Sequence, residues 1–337
     1  MQTFAAAAIG MALTCVTTQA ASTTPTSGTL YFTTFSGADR VHDVSFNFNG
    51  SSFGLGSVVN IAGGNGIGAD GLVFTADNNL AVGGQGNAVY KVDPNGVNPT
   101  TSVTAGGTSA YHMMVSPNGT IWSSGIPGTP ASYNANLTVN GTPHPIVNVT
   151  GAGVSLDTIS WNTADPTKAF YTSSGSGGNG TFGRLDLSTF VATPLLTSLP
   201  AAHGMIFDAY TGDLILFGAN HVTQIDPITG LVVHDATLSG SETFDQGTSD
   251  GKGHLYIASN SGDLLFLDIS TSMNVAAPDF SSTQFLASSL DDVAPLSGGG
   301  SQTVPDTGST ALLLFLSVLG LGALRPRFSQ VGFSTPC

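Results

Sequence analysis

From residue 28 to residue 298 the apolar positions fall in short runs separated by Gly, Asn, Asp and Pro, and no stretch sustains an apolar period of 3.6 residues. That pattern predicts an all-β domain with almost no helix. One unit recurs: a polar residue, a short apolar strand, a turn with Asp or Asn and Gly, a second apolar strand, and a third strand ending in Asp. Ala69-Asp70-Gly71-Leu72-Val73-Phe74 leads to Leu80-Ala81-Val82 and Val89-Tyr90-Lys91-Val92-Asp93. Tyr111 to Val115 leads through Pro117-Asn118-Gly119 to Thr120-Ile121-Trp122, with no recognisable terminal Asp. Leu156 to Trp161 leads to Ala169-Phe170-Tyr171 and Leu185-Asp186. Ala202 to Phe207 leads to Leu214-Ile215-Leu216 and Ile225-Asp226, and Phe244 to Thr248 leads to Leu255-Tyr256-Ile257 and Leu267-Asp268.

The residues opening these units are Asp70, His112, Asp157, His203 and Asp245, spaced 42, 45, 46 and 42 residues apart. Four strands in a repeat of about 40–45 residues is the signature of propeller blades. A sixth unit is split. Leu290 to Leu296 reads as a first strand with Asp292 or Asp291 in the opening position, Thr29 to Thr33 as a second, and Arg40 to Phe46 as a third. Joining one C-terminal strand to three N-terminal strands completes a sixth blade and removes exposed sheet edges. The expected architecture is a six-bladed β-propeller over 28–297, its sixth blade closed by both ends of the domain, with a short hydrophobic helix at each end of the chain. An open solenoid would show shorter repeats and no split unit. At the level of the fold the repeats resemble six-bladed lactonase-like and NHL-like propellers. The lactonase-like group typically holds one Ca²⁺ on a carboxylate and amides of several inner strands. This chain is richer in His and poorer in Asn at those positions, so the resemblance implies a fold and not a reaction.

The two ends read as targeting segments. Residues 4–16 are largely apolar and precede the small-residue stretch Thr18-Gln19-Ala20-Ala21, which marks 1–21 as a secretory signal peptide, although no Lys or Arg precedes the apolar run. A lipoprotein reading would use Cys15, which Thr14 fits poorly. Residues 298–303 form a Gly/Ser linker. Val304-Pro305-Asp306-Thr307-Gly308-Ser309-Thr310 follows, then an apolar run from Ala311 to Leu324 interrupted by Ser317, then Arg325-Pro326-Arg327. That run makes only about 21 Å of helix against a bilayer core of about 30 Å, and the basic pair suits the positive-inside rule. The tripartite pattern over 304–328 resembles the PEP-CTERM class of sorting signals, closest to its Val-Pro-Asp-Ser-Gly-type variant. The residues that carry the resemblance are Val304, Pro305, Asp306, Gly308, Ser309, Arg325 and Arg327. It implies processing by an exosortase-type protease after signal peptidase, and association with the cell envelope or an exopolysaccharide matrix. The tail 329–337 departs from the pattern, which usually stops at the basic cluster. Contact with the membrane is expected only through the C-terminal helix.

Composition narrows the function classes. Lys plus Arg is 7 against 21 for Asp plus Glu, a formal net charge of −14, so no basic stripe exists to neutralise phosphates and nucleic acid is excluded as a partner. The two cysteines, Cys15 and Cys337, form neither a disulfide framework nor a metal motif. No HExxH motif or phosphate loop occurs.

In a propeller the first strand of each blade lines the central channel. Asp70, His112, Asp157, His203, Asp245 and Asp292 are therefore expected to converge near the axis, where clustered carboxylates repel, raise one another's pKa or take up a cation. The ring is a candidate divalent-metal or ligand site, carboxylates favouring Ca²⁺ and histidines a transition metal. The plainer alternative is that these side chains bond the next blade's backbone around a wide, water-filled channel. His221 and His234 read as surface residues, His144 and His254 as solvated turn residues, Glu242 as a loop carboxylate, and Trp122 and Trp161 as blade packing. Catalytic residues stay unassigned and no motif fixes a cofactor. The leading expectation is an exported, non-enzymatic binding or scaffold protein for polysaccharide or an envelope protein. The alternative is a metal-dependent hydrolase or lyase using the ring, and a third reading is a purely structural product of the sorting system.

Overall fold

The computed structural model describes residues 23–294 other than 39, 62–68, 85, 87, 97–99, 105–109, 125–129, 135, 139–156, 174–179, 201 and 239–242. The signal peptide, the linker, the sorting segment, both expected terminal helices, both cysteines, His144 and Glu242 lie outside the described residues. Among the described residues no helix is long and apolar enough to cross a membrane.

The chain opens with β1 (Thr26–Thr34), β2 (Val41–Phe48) and β3 (Phe53–Asn60). The first continuous blade is β4 (Leu72–Phe74), β5 (Leu80–Val82), β6 (Ala88–Val92) and β7 (Thr101–Thr104). The second shows β8 (His112–Val115), β9 (Ile121–Ser124) and β10 (Ala131–Tyr133) among the described residues. The third is β11 (Thr158–Ser160), β12 (Lys168–Ser173), β13 (Gly180–Asp186) and β14 (Val191–Leu199). The fourth is β15 (Gly204–Asp208), β16 (Asp213–Gly218), β17 (His221–Asp226) and β18 (Leu231–Thr237). The fifth is β19 (Phe244–Ser249), β20 (His254–Ser259), β21 (Asp263–Asp268) and β22 (Phe280–Phe285), and β23 (Leu290–Ala294) ends the domain.

These strands form six antiparallel sheets, one of them ordered β23-β1-β2-β3. The split blade is thus closed as its repeat pattern predicts, with Tyr31 opposite Ala294, Phe32 opposite Val293, and Thr34 opposite Leu290 beyond a bulge. Each innermost strand touches the next around the ring, from β23 through β4, β8, β11, β15 and β19 back to β23.

The core is divided into six wedges, one between each pair of neighbouring blades. Along β16, Leu214 and Leu216 pack into the wedge shared with the third blade, while Ile215 and Phe217 pack into the wedge shared with the fifth. Along β20, Leu255 and Ile257 face the fourth blade, and Tyr256 and Ala258 face the sixth. Alternate side chains therefore go to opposite wedges, and a strand buried on both faces reads as a continuous apolar run. The seam between the fifth and sixth blades is the most aromatic. Phe266 stacks on Phe53 at 4.2 Å and lies 4.9 Å from Phe48, and Tyr256 meets Phe46 edge-on at 5.1 Å.

The Asp that closes each third strand has a local cause. Its side-chain oxygen accepts the backbone N–H two residues on, at Asn95, Ser188, Ile228 and Ser270 for Asp93, Asp186, Asp226 and Asp268. The second blade breaks the pattern only in residue type. Asn134 Oδ1 accepts from the N–H groups of Asn136 and Thr138, and Asn49 Oδ1 does the same for Ser51 and Ser52 in the sixth blade. Asn and Asp are interchangeable here because the turn requires only a short side-chain acceptor.

Truncating Phe266, fully buried at the closing seam, to Ala is expected to lower unfolding free energy by about 3–5 kcal/mol. Ile228→Ala, 81 % exposed, is expected to change it by less than about 0.5 kcal/mol. Chemical denaturation of the two variants checks this, and equal stabilities would contradict the wedge description.

Candidate functional site

The six opening positions do converge, and the backbone dictates how. Asp70, Asp157 and His203 each donate their N–H to the second strand of their own blade, at the carbonyls of Gly83, Thr172 and Phe217 over 3.0, 3.0 and 2.8 Å. Their own carbonyls are held from the preceding blade by a hydroxyl on its second strand. Thr33 donates to Asp70, Ser124 to Asp157 at 2.7 Å, and Thr172 to His203 at 3.3 Å. With both backbone groups fixed, the side chain can only point along or toward the axis. Glycine after the opening residue lets the strands close up. A Cβ on Gly71 would lie 2.6 Å from the Met113 nitrogen, and one on Gly204 would lie 1.9 Å from the Asp245 carbonyl oxygen.

The channel at this level is closed by side chains, not wide. His112 Nε2 lies 3.6 Å from Asp245 Oδ1 on the opposite blade, and His112 Nδ1 lies 3.4 Å from Asp292 Oδ1. His203 Nε2 is 2.9 Å from the same Asp245 oxygen, and its Nδ1 is 3.7 Å from Asp157 Oδ2. The two imidazoles meet edge-on with centroids 5.2 Å apart. The sixth blade supplies two carboxylates rather than one: Asp292 faces His112, while Asp291 lies in hydrogen-bonding reach of Asp70 and Asp245. The ring side chains thus meet one another across the axis, and it is the backbone carbonyls of Asp70, Asp157 and His203 that the neighbouring blades bind. Asp70, His112, Asp157, Asp245, Asp291 and Asp292 are all buried, whereas the His203 side chain is 37 % exposed and marks the side open to solvent. Farther along the axis Gln246 Nε2 reaches Thr158 Oγ1 at 3.4 Å. Beyond it lies an apolar cavity of about 70 Å³ lined by Leu72, Met113, Trp161, Phe207, Thr248 and Val293 among others.

Five carboxylates and two imidazoles, all buried but His203, distort one another's proton affinity. Burial pushes the Asp70 carboxyl up to about 7, with the charges of Asp292 and Asp245 adding to it. Burial, then Asp245 and Asp70, drive the Asp291 carboxyl well above its ordinary value. Burial opposes protonation of His112, but Asp292 and Asp245 outweigh it and raise its pKa to about 9. His203 is raised well above 6.5 because Asp245 and Asp157 outweigh the same burial cost. Asp245 goes the other way: burial would raise it, but His203 and His112 hold it well below the ordinary range. Such a cluster can hold a cation or the cationic part of a ligand, and Asp70 with Asp291 can donate a proton near pH 7.

His112, His203 and Asp245 each offer a ligand atom within 4.8 Å of the others, the grouping that suits a metal ion. The hydroxyl clamps at Thr33, Ser124 and Thr172 escape sequence reasoning. Their one signal is a small hydroxyl at the end of a second strand. His254, expected in a solvated turn, is fully buried. Its Nδ1 lies 2.6 Å from Asp250 Oδ2 and its ring stacks on Phe266, so it is a structural histidine. His42 stacks on Phe32 and bonds Asn60 at 2.9 Å. Trp161 is buried in a wedge, and Trp122 packs against the same cluster. The chain matches no known protein-family model and no curated protein sequence.

Asp70 and His112 bind their protons more tightly in the folded chain than in the unfolded one, so folding takes up protons and stability falls as pH rises. The loss runs from 3.8 to about 7 for Asp70 and from 6.5 to about 9 for His112. Asp245, shifted down, loses its contribution only as pH falls below 3.8. With chelator present, the melting temperature is expected to peak near pH 4–5 and fall steadily to pH 9. A flat profile between pH 5 and 9 would contradict the electrostatics of the cluster.

Proposed function

We propose that the protein is an exported, envelope-associated β-propeller that acts as a binding protein, its ligand seated at the polar end of the central channel. The observation that carries this reading is directional. The Asp or His residue of every inner strand lies within two residues of that strand's start, so the polar cluster marks one end of the axis. β1 begins, and β23 finishes, toward the other end, because the two strands pair antiparallel with Ala294 beside Tyr31 and Leu290 beside Thr34. A propeller tethered by its tail would therefore present the Asp/His end, with the exposed face of His203, away from the tether. The signal-peptide pattern of 1–21 and the sorting pattern of 304–328 supply export and tether in this reading. An acidic cluster in an acidic chain favours a ligand with a cationic group, or one bridged by a cation.

A second reading, a metal-dependent hydrolase or lyase, is favoured by the grouping of His112, His203 and Asp245 beside a carboxyl that keeps its proton near pH 7.

Intact-mass measurement and fractionation of the chain in its own host test the leading reading. The expected product lacks about the first 21 residues, is cut near Val304 to Ser309 and stays with the envelope. Deletion of 304–328 is expected to send it to the medium. A chain that keeps Met1 and remains in the cytosol overturns the reading. Turnover of an ester or lactone by the wild type, lost in His203→Gln, would move the second reading ahead of the first.

A further inference from the structure

We propose that the channel binds one divalent metal ion of the zinc and iron class through Nε2 of His112, Nε2 of His203 and a carboxylate oxygen of Asp245. The proposal rests on the channel being the functional centre, as argued above, but not on what the propeller binds or whether it turns a substrate over.

Three observations carry it. The first is spacing. Both Nε2 atoms face one oxygen, Asp245 Oδ1, at 3.6 and 2.9 Å. Ligands about 2.0–2.2 Å from a metal stand roughly 3.0–3.5 Å apart when the angles between them lie from a right angle to the tetrahedral value. The ligand atoms of the three residues all lie within 4.8 Å of one another, so side-chain rotation is needed to bring them onto one ion.

The second is the layer behind the ligands. Each imidazole has its other nitrogen turned to a carboxylate from a different blade, His112 Nδ1 to Asp292 at 3.4 Å and His203 Nδ1 to Asp157 at 3.7 Å. The first contact lacks hydrogen-bond geometry and the second exceeds hydrogen-bond length; closing them on metal binding would let each carboxylate accept the Nδ1 proton, fix the tautomer that leaves the Nε2 lone pair free, and make the imidazole more basic toward a metal. Two histidines so backed and aimed at one shared carboxylate oxygen are more than an acidic cluster.

The third is unmet hydrogen bonding. Asp245 Oδ1, His112 Nδ1 and both carboxylate oxygens of Asp292 are shut off from water and engage in no hydrogen bond of acceptable geometry. These residues are 4, 2 and 1 % exposed. Buried polar atoms without partners are costly, and a bound ion with its oriented imidazoles would satisfy them. Charge points the same way. The cluster holds five carboxylates against two imidazoles. Two nitrogens and one oxygen favour a borderline ion over Ca²⁺, which takes six to eight oxygens. Three protein ligands leave a coordination position free.

Cobalt(II) titration of the full chain tests this, with the protein purified on a histidine-free tag and stripped with chelator. One Co²⁺ per chain is expected, with visible d–d absorption that Zn²⁺ displaces and Ca²⁺ does not. His203→Gln should abolish the absorption, Asp157→Asn should weaken binding about 10–100-fold, and His234→Ala, on an outer strand, should leave it unchanged. If His203→Gln does not fold, X-ray absorption on the wild-type cobalt form decides, two imidazoles being expected. Failure of the folded wild type to bind Co²⁺, binding unaltered in folded His203→Gln, displacement by Ca²⁺, or fewer than two imidazoles overturns the proposal. Those outcomes leave envelope retention untouched, so the metal site and the display reading fail separately.

Discussion

Ring closure by the pairing of β23 with β1 is the constraint on which the rest of the molecule depends. Each blade is a sheet with two apolar faces, and neither face can be left in water. A linear array would expose a face at each end, whereas a closed ring exposes none. The five residues of β23 supply the inner strand of the sixth blade, and with it Leu290 and Val293 of the most aromatic wedge. The same strand carries Asp291 and Asp292 to the axis. The stabilising contact and the candidate site are thus built by one short segment more than 250 residues distant from its partner strand, as the Asp292–Thr33 hydrogen bond shows with a separation of 259.

Closure also sets the electrostatic problem. Six inner strands enter the channel at the same level, so their opening side chains have nowhere to go but toward each other. Buried carboxylates at such distances would destabilise the ring if all were ionised and unpaired. The structure relieves this by dividing the group. Asp70 and Asp291, both raised in pKa by burial, lie in hydrogen-bonding reach of each other on one side, while His112 and His203 stand among Asp157, Asp245 and Asp292 on the other. A bound cation would discharge the second group by replacing protons on the imidazoles, which links metal, proton and fold at one place. The apolar cavity beyond Gln246 has no such charges, so the two ends of the axis differ in chemistry although both are built from the same strands.

Much of this was legible in the residues. The split sixth blade followed from one first-strand pattern left over at the end and two later-strand patterns left over at the start. The ring followed from position alone, since the residue that opens an apolar run after a turn recurs at every repeat. Other features could not be read. Asn134 hid the third strand of the second blade, because an Asn performs the turn chemistry that was sought as Asp. The burial of His254 depends on Phe48 and Phe266 from two different blades, and a turn sequence carries no sign of what packs over it.

By itself the sequence determined the class of fold, the number of blades, the split of the sixth and the residue types delivered to the axis, because these follow from local period and repeat length. The tertiary structure alone decided which of those side chains meet. His112 touches Asp245 on the opposite blade and Asp292 two blades away, and Asp291 joins the group that its neighbour was expected to complete. The reason is that such pairings depend on the radius of the closed ring. That radius is set by inter-blade packing and by backbone contacts as close as those at Gly71 and Gly204, which no local pattern encodes.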